Sequence, residues 1–266
     1  MPDRIHKEYN LFNKLETLMK VLREECPWDK SQTLSSLRTY TLEEAHEVLE
    51  AIEQVEIHGN WRRLQDELGD LLLQVAFYAR IADEHEAFNL ADVVNGLIDK
   101  MIYRHPHVFG DARPADLAHQ WESLKDAEHD DRQSLMDGIP PLPALSLAFK
   151  QQKRAARVGF DWSRADDVLE KIDEELAEFR LEVEQASGHD SLEDEFGDVL
   201  FTLVNLGRKL GLDAELALMR SNRKFKGRFM HMEQAASKAS TSLDVCSMDE
   251  LEAMWQQAKT ADNEPF

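Results

Sequence analysis

The segment Gln65–Ile81, QDELGDLLLQVAFYARI, has the apolar periodicity of an amphipathic helix. Apolar residues recur at spacings of three and four in and just before it, at Leu64, Leu68, Leu71, Leu72, Val75, Ala76 and Ala79. This pattern predicts one helical face packed in a core. Glu67 and Asp70 share a face at the edge of that stripe. Gly69 between them costs a helix about 1 kcal/mol relative to alanine, so the arrangement calls for a reason other than helix stability.

The second half of the chain repeats this pattern. Residues 193–209, EDEFGDVLFTLVNLGRK, match residues 65–81 position by position, including the glycine between two acids. Three further pairs of segments correspond in the same order: LEEAHEVLEAI (42–52) with DEELAEFRLEV (173–183), DKMIYR (99–104) with RKFKGR (223–228), and WESLK (121–125) with WQQAK (255–259). Matched positions are 124 to 134 residues apart. We infer an internal duplication, in which each half supplies four corresponding helices.

The predicted fold class is all-α, with two tandem helical-bundle domains. Helical periodicity dominates, and the chain has only 11 glycines and no sustained alternation of polar and apolar residues, which half-buried strands would require. The predicted helices are 11–24, 35–57, 61–85, 89–104, 115–127, 142–157, 164–186, 191–210, 213–233 and 248–259. The acidic stretch AEHDDRQ, followed by DGIPPLP with its three prolines, predicts a boundary between domains of residues 1–132 and 133–266.

The composition is that of a globular protein with an excess of acidic residues. Of the 266 residues, 42% are apolar and 31% charged, and the formal net charge is −21. Apolar runs fall short of the roughly 20 residues that a membrane helix needs, so we expect no membrane association. Direct binding to a nucleic-acid backbone is not expected, because it needs a basic stripe. Cys26 and Cys246 lack a second Cys or His at zinc spacing, and we expect a cytoplasmic location.

The duplicated acids predict a site for a divalent cation. In the first half, Glu44 and Glu47 share one helical face, and Glu67 and Asp70 share another. If the two helices are antiparallel neighbours, the four carboxylates converge, and two carboxylates about 4 Å apart repel by roughly 4 kcal/mol at an effective dielectric constant of 20. Such a site requires bound cations or raised pKa values. Oxygen ligands without Cys suit Mg²⁺, or Mn²⁺ in its place.

Two other interpretations of these acids are open at this point. A single ExxE pair is usually a solvated helix face, although repetition in register with the core favours a site. Glu43 and His46 provide the ExxH element of a di-iron carboxylate bundle. Ala177 stands where the second half would need its histidine, so we do not expect di-iron chemistry.

A pair of basic residues accompanies the acids in each half. Lys224 and Arg228 lie four residues apart on one helical face, as do Lys100 and Arg104. Such a pair can bind phosphate oxygens, with Arg in bidentate fashion. Carboxylates, a hard cation and a cationic clamp together are typical of phosphoryl or nucleotidyl chemistry. The sequence has no glycine-rich phosphate loop of the GxxxxGK[ST] or GxGxxG type.

These motifs, taken in order, resemble a known family. The segments TLEEAHEVLEAI, DELGDLLLQVAFYA, KMIYRHPHVF, VGFDW, EDEFGDVLF and KFKGRF are similar to those of the two-domain MazG nucleoside triphosphate pyrophosphohydrolases, and the resemblance covers residues 11 to 259. It implies two MazG-type helical domains, a homodimer, and Mg²⁺-dependent hydrolysis of nucleoside triphosphates to the monophosphate and pyrophosphate. Broad tolerance of the base, with deoxynucleotides among the substrates, is also implied.

The resemblance further implies roles for individual residues. The expected metal ligands are Glu175, Glu178, Glu195 and Asp198, with a second metal site at Glu44, Glu47, Glu67 and Asp70. The expected substrate-binding residues are Lys171, Asp198, Lys224, Arg228 and Trp255, joined by Asn222 and, in the first half, by Lys100, Arg104 and Trp121. Glu174 and Glu175 are the expected catalytic residues, with Glu174 orienting the attacking water. The resemblance also implies that the C-terminal domain carries most of the activity, and Asn222, where the first half has Ile98, agrees with this.

Two alternative functions fit the same residues. One is a non-catalytic helical regulatory or interaction protein that binds Mg²⁺ structurally and uses the repeat for dimer packing. The other is a dUTP- or dCTP-specific diphosphatase, which would need the same metal-binding acids. For Trp121 and Trp255, a core anchor is as good an interpretation as a platform for a base.

Overall fold

A computed structural model describes residues 10–111, 113, 117, 120, 121, 124 and 133–261 of the chain. These residues contain α-helices and one 3₁₀-helix but no strand, which confirms the all-α prediction. Within them, no helix has the length and apolar content that a membrane crossing needs. The chain divides into two compact units, Met1–Glu128 and His129–Phe266. Residues 125–132 lie outside the described part, so the domain boundary at residue 132 stays a prediction.

The first unit is built around a helical hairpin. Its described helices are α1 (Leu11–Glu25), α2 (Pro27–Ser31), α3 (Leu37–His58), α4 (Trp61–Glu84), α5 (Leu90–Arg104) and α6 (Pro106–Phe109). Two residues join α3 to α4, and the first of them, Gly59, has a φ of +68°, a conformation that favours glycine at a helix end. Helices α3 and α4 pack against each other, while α1 and α5 contact α4.

The core of the first unit lies along the second half of α4. It consists of Met19, Leu37, Ala76, Phe77, Ala79, Ile81 and Leu90. All of the buried residues of α4 lie at or after Gln74. The predicted stripe is therefore wrong in its first half, because Leu68 and Leu72 are 48% and 52% exposed. The α1 and α5 residues of this core pack against the second half of α4, so periodicity alone overestimated how far the core extends.

An arginine network fastens α1 to α4 in the first unit. The Arg23 guanidinium forms an ion pair with Glu84 at 2.6 Å and donates to the backbone oxygens of Asp29 and Gln32. Glu84 has a lowered pKa because Arg23 donates hydrogen bonds to it and attracts its charge. Helices α1, α2 and α4 are thereby held in one arrangement.

The second unit repeats the arrangement of the first. Its described helices are α7 (Ala144–Ala156), α8 (Ala165–Glu184), α9 (His189–Lys209), α10 (Ala214–Lys238) and α11 (Met248–Ala261), with a 3₁₀-helix at Leu243–Val245. Helices α8 and α9 form the hairpin, and α7 packs against α9 as α1 does against α4. Helix α10 packs against α7 and α11. This correspondence of contacts supports the duplication that was inferred from sequence.

The predicted helix bounds differ from the structure in three places. Short helices α2 and α6 were not predicted, and each begins with a proline, Pro27 or Pro106, at its first position, where proline is well tolerated. Helix α10 continues to Lys238 rather than ending at Glu233. The helix predicted at 115–127 lies mostly outside the described residues, although Trp121 and Leu124 are helical.

Candidate metal and nucleotide site

Three carboxylates meet in the second unit on the α8–α9 hairpin. Each of Glu175, Glu195 and Asp198 offers an oxygen, and these oxygens lie within 4.8 Å of one another. Glu175 comes from α8, while Glu195 and Asp198 lie three residues apart on α9, so they share a face of that helix. Glu175 is buried, with only 6% of its surface exposed. The predicted convergence of acids from two neighbouring helices is present here.

The equivalent three carboxylates meet in the first unit. Glu44 of α3 and Glu67 and Asp70 of α4 also bring oxygens within 4.8 Å of one another. One oxygen of Glu44, Oε2, is buried and has no hydrogen-bond partner among the described residues. A buried carboxylate oxygen without a partner is costly, so this position suits a cation.

Burial and mutual repulsion raise the pKa of one carboxyl in each cluster. Burial is the largest cause for Glu44, followed by the charges of Asp70, Glu47 and Glu67. Burial also leads for Glu195, where the next causes are the charges of other acids in the second unit. Carboxylates in such surroundings bind protons more tightly than usual unless a cation neutralises them.

Glu47 and Glu178 lie at the edge of the clusters. Neither belongs to a group whose oxygens all approach within 4.8 Å, and both side chains are exposed. Their charges nevertheless raise the pKa of Glu44 and Glu195 respectively. The structure therefore brings together three of the four predicted ligands in each unit and places the fourth nearby.

Lys171 lies against the second cluster. Its ammonium group forms ion pairs with Glu174 and Glu175, both at 2.8 Å, and the hydrogen bonds that it donates to these carboxylates raise the pKa of Lys171. The predicted substrate-binding residue Lys171 thus contacts both predicted catalytic residues, Glu174 and the buried Glu175. Glu174 itself is mostly exposed.

An arginine in the first unit was missed by the sequence reasoning. Arg63 forms ion pairs with Glu67 at 3.3 Å and with Glu50 at 2.9 Å. The spacing of four residues between Arg63 and Glu67 was the available signal. The first cluster is therefore neighboured by a guanidinium that has no counterpart in the second unit, where Ser191 occupies the matching position.

Helices α5 and α10 carry the predicted basic residues. Lys100, Lys224 and Asn222 are exposed, and neither lysine forms an ion pair with a cluster among the described residues. The two arginines instead lie over tryptophan rings, Arg104 over Trp121 at 5.4 Å and Arg228 over Trp255 at 5.6 Å. This cation–π pair occurs in both units and links the basic helix to the Trp-bearing helix.

Both tryptophans also contact a second ring. His105 meets Trp121 edge-on with centroids 4.9 Å apart, and Phe225 lies 5.4 Å from Trp255. Each indole is part-buried. These contacts give the tryptophans a packing role, while a role as a platform for a base stays a prediction.

The glycines between the paired acids face open space. A Cβ atom placed on Gly69 or Gly197 would meet nothing within 4 Å. No helix of the described chain approaches either glycine closely. Both are exposed, and with 3.6 residues per turn each lies off the helix face that its two acids share.

The clusters fit a hard divalent cation by the chemistry of their ligands. All of the converging atoms are carboxylate oxygens, which suit Mg²⁺ or Mn²⁺. In the first cluster one Glu44 oxygen has no partner among the described residues, and in both clusters burial and the charges of neighbouring acids raise the pKa of one carboxyl, Glu44 or Glu195.

Comparison with known proteins assigns the family. Residues 32–109 match the model of the MazG nucleotide pyrophosphohydrolase domain. The nucleoside triphosphate pyrophosphohydrolase/pyrophosphatase MazG of Thermotoga maritima is 44% identical over 256 residues, which cover 95% of this chain and 97% of that protein. The nucleoside triphosphate pyrophosphohydrolase of Escherichia coli K12 is 41% identical over 260 residues, or 94% and 97% of the two chains. With duplicated carboxylate clusters and this similarity over nearly its whole length, the chain belongs to the MazG family of nucleotide pyrophosphohydrolases.

Proposed function

We propose that this protein hydrolyses nucleoside triphosphates, deoxynucleotides included, to the nucleoside monophosphate and pyrophosphate in a Mg²⁺-dependent reaction. The observation that carries the proposal is the pair of three-carboxylate clusters at equivalent positions in a chain of this family. Relatives similar over their full length bear the name of this activity. The clusters supply the oxygen ligands that a Mg²⁺-dependent phosphoryl reaction needs.

The second unit is the proposed main catalytic centre. Glu175, Glu195 and Asp198 would hold the cation, with Glu178 joining at the edge of the cluster. A bound Mg²⁺ supplies neutralisation of phosphate charge and activation of water. Glu174 is placed beside Glu175 through their common partner Lys171, where its exposed carboxylate can accept a proton from an attacking water.

Lys171 has a second proposed task. Its ammonium group is held at the cluster by Glu174 and Glu175, so it is placed to donate to a phosphate that reaches the same acids. Lys224 and Arg228 would bind the remaining phosphates, and Trp255 would contact the nucleotide beside them. In this arrangement the positive groups neutralise the charge that develops on the leaving pyrophosphate.

We further propose a cytoplasmic homodimer. Apolar side chains on the hairpins of both units are exposed within a single chain, including Leu68 at 48%, Leu72 at 52%, Phe196 at 51% and Leu203 at 44%. Exposed apolar faces of this kind mark interaction surfaces, and a second copy is the partner implied by the family resemblance.

A product assay tests the proposed reaction. The protein is incubated with each of the four NTPs, the four dNTPs and dUTP in the presence of Mg²⁺, and nucleotides, pyrophosphate and orthophosphate are quantified. Equimolar monophosphate and pyrophosphate, abolished by chelation of the metal, is the expected result. Diphosphate plus orthophosphate would assign a different bond, and no turnover with any nucleotide would favour the non-catalytic alternative. Turnover of dUTP or dCTP alone would identify the specific diphosphatase.

A further inference from the structure

The second unit contains a cavity that the proposed metal chemistry does not use. It has a volume of about 340 Å³ and lies between α7 and α9, next to residues 159–162. Ring and thioether groups form much of its wall, and its lining includes the two buried amides of this region: Phe160, Trp162, Phe201, Met136, Gln152 and Asn205. All of its lining side chains are uncharged. This volume is within the range of small-molecule sites, which is about 300–1,000 Å³.

The loop beside the cavity is built to hold an aromatic side chain there. Gly159 has a φ of +83°, and the Phe160 N–H donates to Ala155 O at 3.2 Å, so the chain turns back at the end of α7. The Asp161 carboxylate is fixed by Lys209 at 2.6 Å and by Arg208. Phe160 is 79% exposed although it lines the cavity. An anchored loop that presents an exposed ring is typical of a binding surface rather than a core.

Two buried amides give the cavity a hydrogen-bonding pattern. Gln152 is 5% exposed, and its Nε2 donates to Phe201 O at 2.8 Å while its Oε1 has no partner among the described residues. Asn205 is 4% exposed, and its Oδ1 accepts from Arg208 at 2.9 Å, a bond that does not use its NH₂ group. The residues that line the cavity thus include one acceptor without a partner among the described residues and one amide donor. Amide side chains with this pairing read the edge of a nucleobase, and aromatic rings stack on its face.

The first unit has a ring at the position that corresponds to Asn205. In the alignment of residues 65–81 with 193–209, Phe77 matches Asn205. Phe77 is 2% exposed and belongs to the core of its unit. Replacing a core phenyl ring by a small amide removes packing volume, and an empty cavity of that kind lowers stability. The cavity therefore lowers the stability of the second unit, and a bound ligand can offset this loss.

The cavity and the carboxylate cluster both include residues of α9. Asn205 follows Asp198 by seven residues, which is two helical turns on the same face and about 10 Å along the axis. One nucleotide can bridge such a spacing between its phosphates and its base. From these observations we propose that the cavity binds a nucleobase, with Phe160 stacking on it and Gln152 and Asn205 reading its edge. The base belongs either to the substrate, an assignment that rests on the proposed function, or to a separate nucleotide.

Binding of nucleosides tests the site without metal or turnover. Adenosine, guanosine, cytidine and uridine are titrated into the full-length protein in the absence of divalent cations, and binding is measured by calorimetry and saturation-transfer NMR. We expect at least one nucleoside to bind, and Phe160→Ala to weaken its binding about fivefold to a hundredfold, the range for loss of one stacking ring. Val158→Ala is the matched control, since Val158 is 64% exposed on the same loop and does not line the cavity. Asn205→Phe, which copies the first unit, should abolish binding.

The same variants locate the source of the base. If it belongs to the substrate, a nucleoside competes with the triphosphate and Phe160→Ala raises KM. If it belongs to a separate nucleotide, the nucleoside changes turnover without competition and Phe160→Ala removes that effect. Because Phe160 is exposed, its variant should fold even if Asn205→Phe does not. No nucleoside binding, or equal binding to wild type and Phe160→Ala, would overturn the proposal, and a protein without turnover would still give this answer.

Discussion

Lys171 forms ion pairs with Glu174 and Glu175 in the second unit, whereas Tyr40 stands at the corresponding position of the first and meets the Trp28 ring edge-on at 5.9 Å. In the first unit Arg63 pairs with Glu67, whereas the second unit has Ser191 at the position of this arginine. The three carboxylates themselves are the same in both units. What differs is thus the set of groups that would act on a nucleotide.

Cation binding and nucleotide turnover have different structural requirements, and the two units differ in the second of them. Convergent acids explain cation binding and occur twice, so they do not by themselves specify turnover. In the second unit, Lys171 lies at the acids and the cavity lies along α9. In the first unit the corresponding volume is packed by Phe77, and Arg63 pairs with a cluster acid. We infer that the first unit is suited to bind a cation and the second to bind a cation and a nucleotide.

The largest effect is expected from removing one acid in each unit separately. Glu175→Ala should lower kcat on the order of a hundredfold or more, because the buried ligand of the proposed catalytic cation is lost. Glu44→Ala should leave most of the activity. The measurement is steady-state release of pyrophosphate at saturating Mg²⁺, with circular dichroism to verify that both variants fold. Equal losses in the two variants would contradict the division of roles between the units.

A second test concerns the cores. Phe77→Ala should destabilise the protein by about 3–5 kcal/mol, as is typical for truncation of a buried phenylalanine, and the Arg23 guanidinium that lies 5.7 Å above its ring loses a contact. Asn205→Ala should cost about 1 kcal/mol, because it removes one hydrogen bond beside a cavity. Urea unfolding followed by circular dichroism measures both. Similar losses would show that the second cavity is as fully packed as the first core.

Lys171 provides a test with a smaller effect. Its replacement by methionine keeps the length of the side chain but removes the charge that Glu175 already pairs with. Without nucleotide, Lys171→Met should bind Mn²⁺ about twofold to tenfold more tightly, because the cation no longer competes with the ammonium group. The effect is small because this group is partly exposed to solvent. Electron paramagnetic resonance of free Mn²⁺ gives the affinity.

Tyr40→Lys is the reciprocal variant and should weaken the first site by a similar factor. With nucleotide present, Lys171→Met should lower kcat/KM, since a phosphate donor is missing. Unchanged Mn²⁺ affinity in both variants would mean that the ion pair does not compete with the cation.

Local sequence patterns were sufficient to predict the paired acids, whereas the extent of the core and the cavity depend on long-range packing. The pairs Glu67–Asp70 and Glu195–Asp198 could be predicted because a spacing of three residues fixes a common face of one helix. Their meeting with Glu44 and Glu175 followed from the short connection within each hairpin. Exposure of Leu68 could not be predicted, because it depends on where the neighbouring helices end. The cavity beside Asn205 required the positions of two helices and a loop that are distant in sequence.

The dependence of Mg²⁺ stabilisation on pH tests the clusters by a different observable. Glu44 and Glu195 have pKa values above their ordinary 4.5, so the folded protein binds these protons more tightly than the unfolded chain does. Without a metal, the stability from these groups is fully present below pH 4.5 and is lost as the pH rises through the raised values. Mg²⁺ replaces those protons, so the rise in Tm on adding Mg²⁺ should increase between about pH 5 and pH 7.

Differential scanning fluorimetry over that pH range measures the effect. The double variant Glu44→Gln, Glu195→Gln cannot ionise at these positions and is the control, for which the pH dependence of the Mg²⁺ effect should flatten. A Tm shift that is the same at every pH in the wild-type protein would show that these carboxyls do not take part in binding the cation.

The smallest expected effect compares how the two Glu-rich helices end. Helix α3 ends at Gly59 with a φ of +68°, whereas the residue that turns the chain after α8 is Ala186, with a φ of +49°. A left-handed conformation costs a residue with a Cβ roughly 1–2 kcal/mol. Glycine avoids this cost, but its unfolded chain has more conformational freedom, which offsets part of the gain in stability. Ala186→Gly should therefore stabilise the second unit by about 0.5–1 kcal/mol, and Gly59→Ala should destabilise the first by about 1 kcal/mol. Urea midpoints of the two variants give both values, and a destabilised Ala186→Gly would mean that the alanine side chain contributes packing that outweighs its strain.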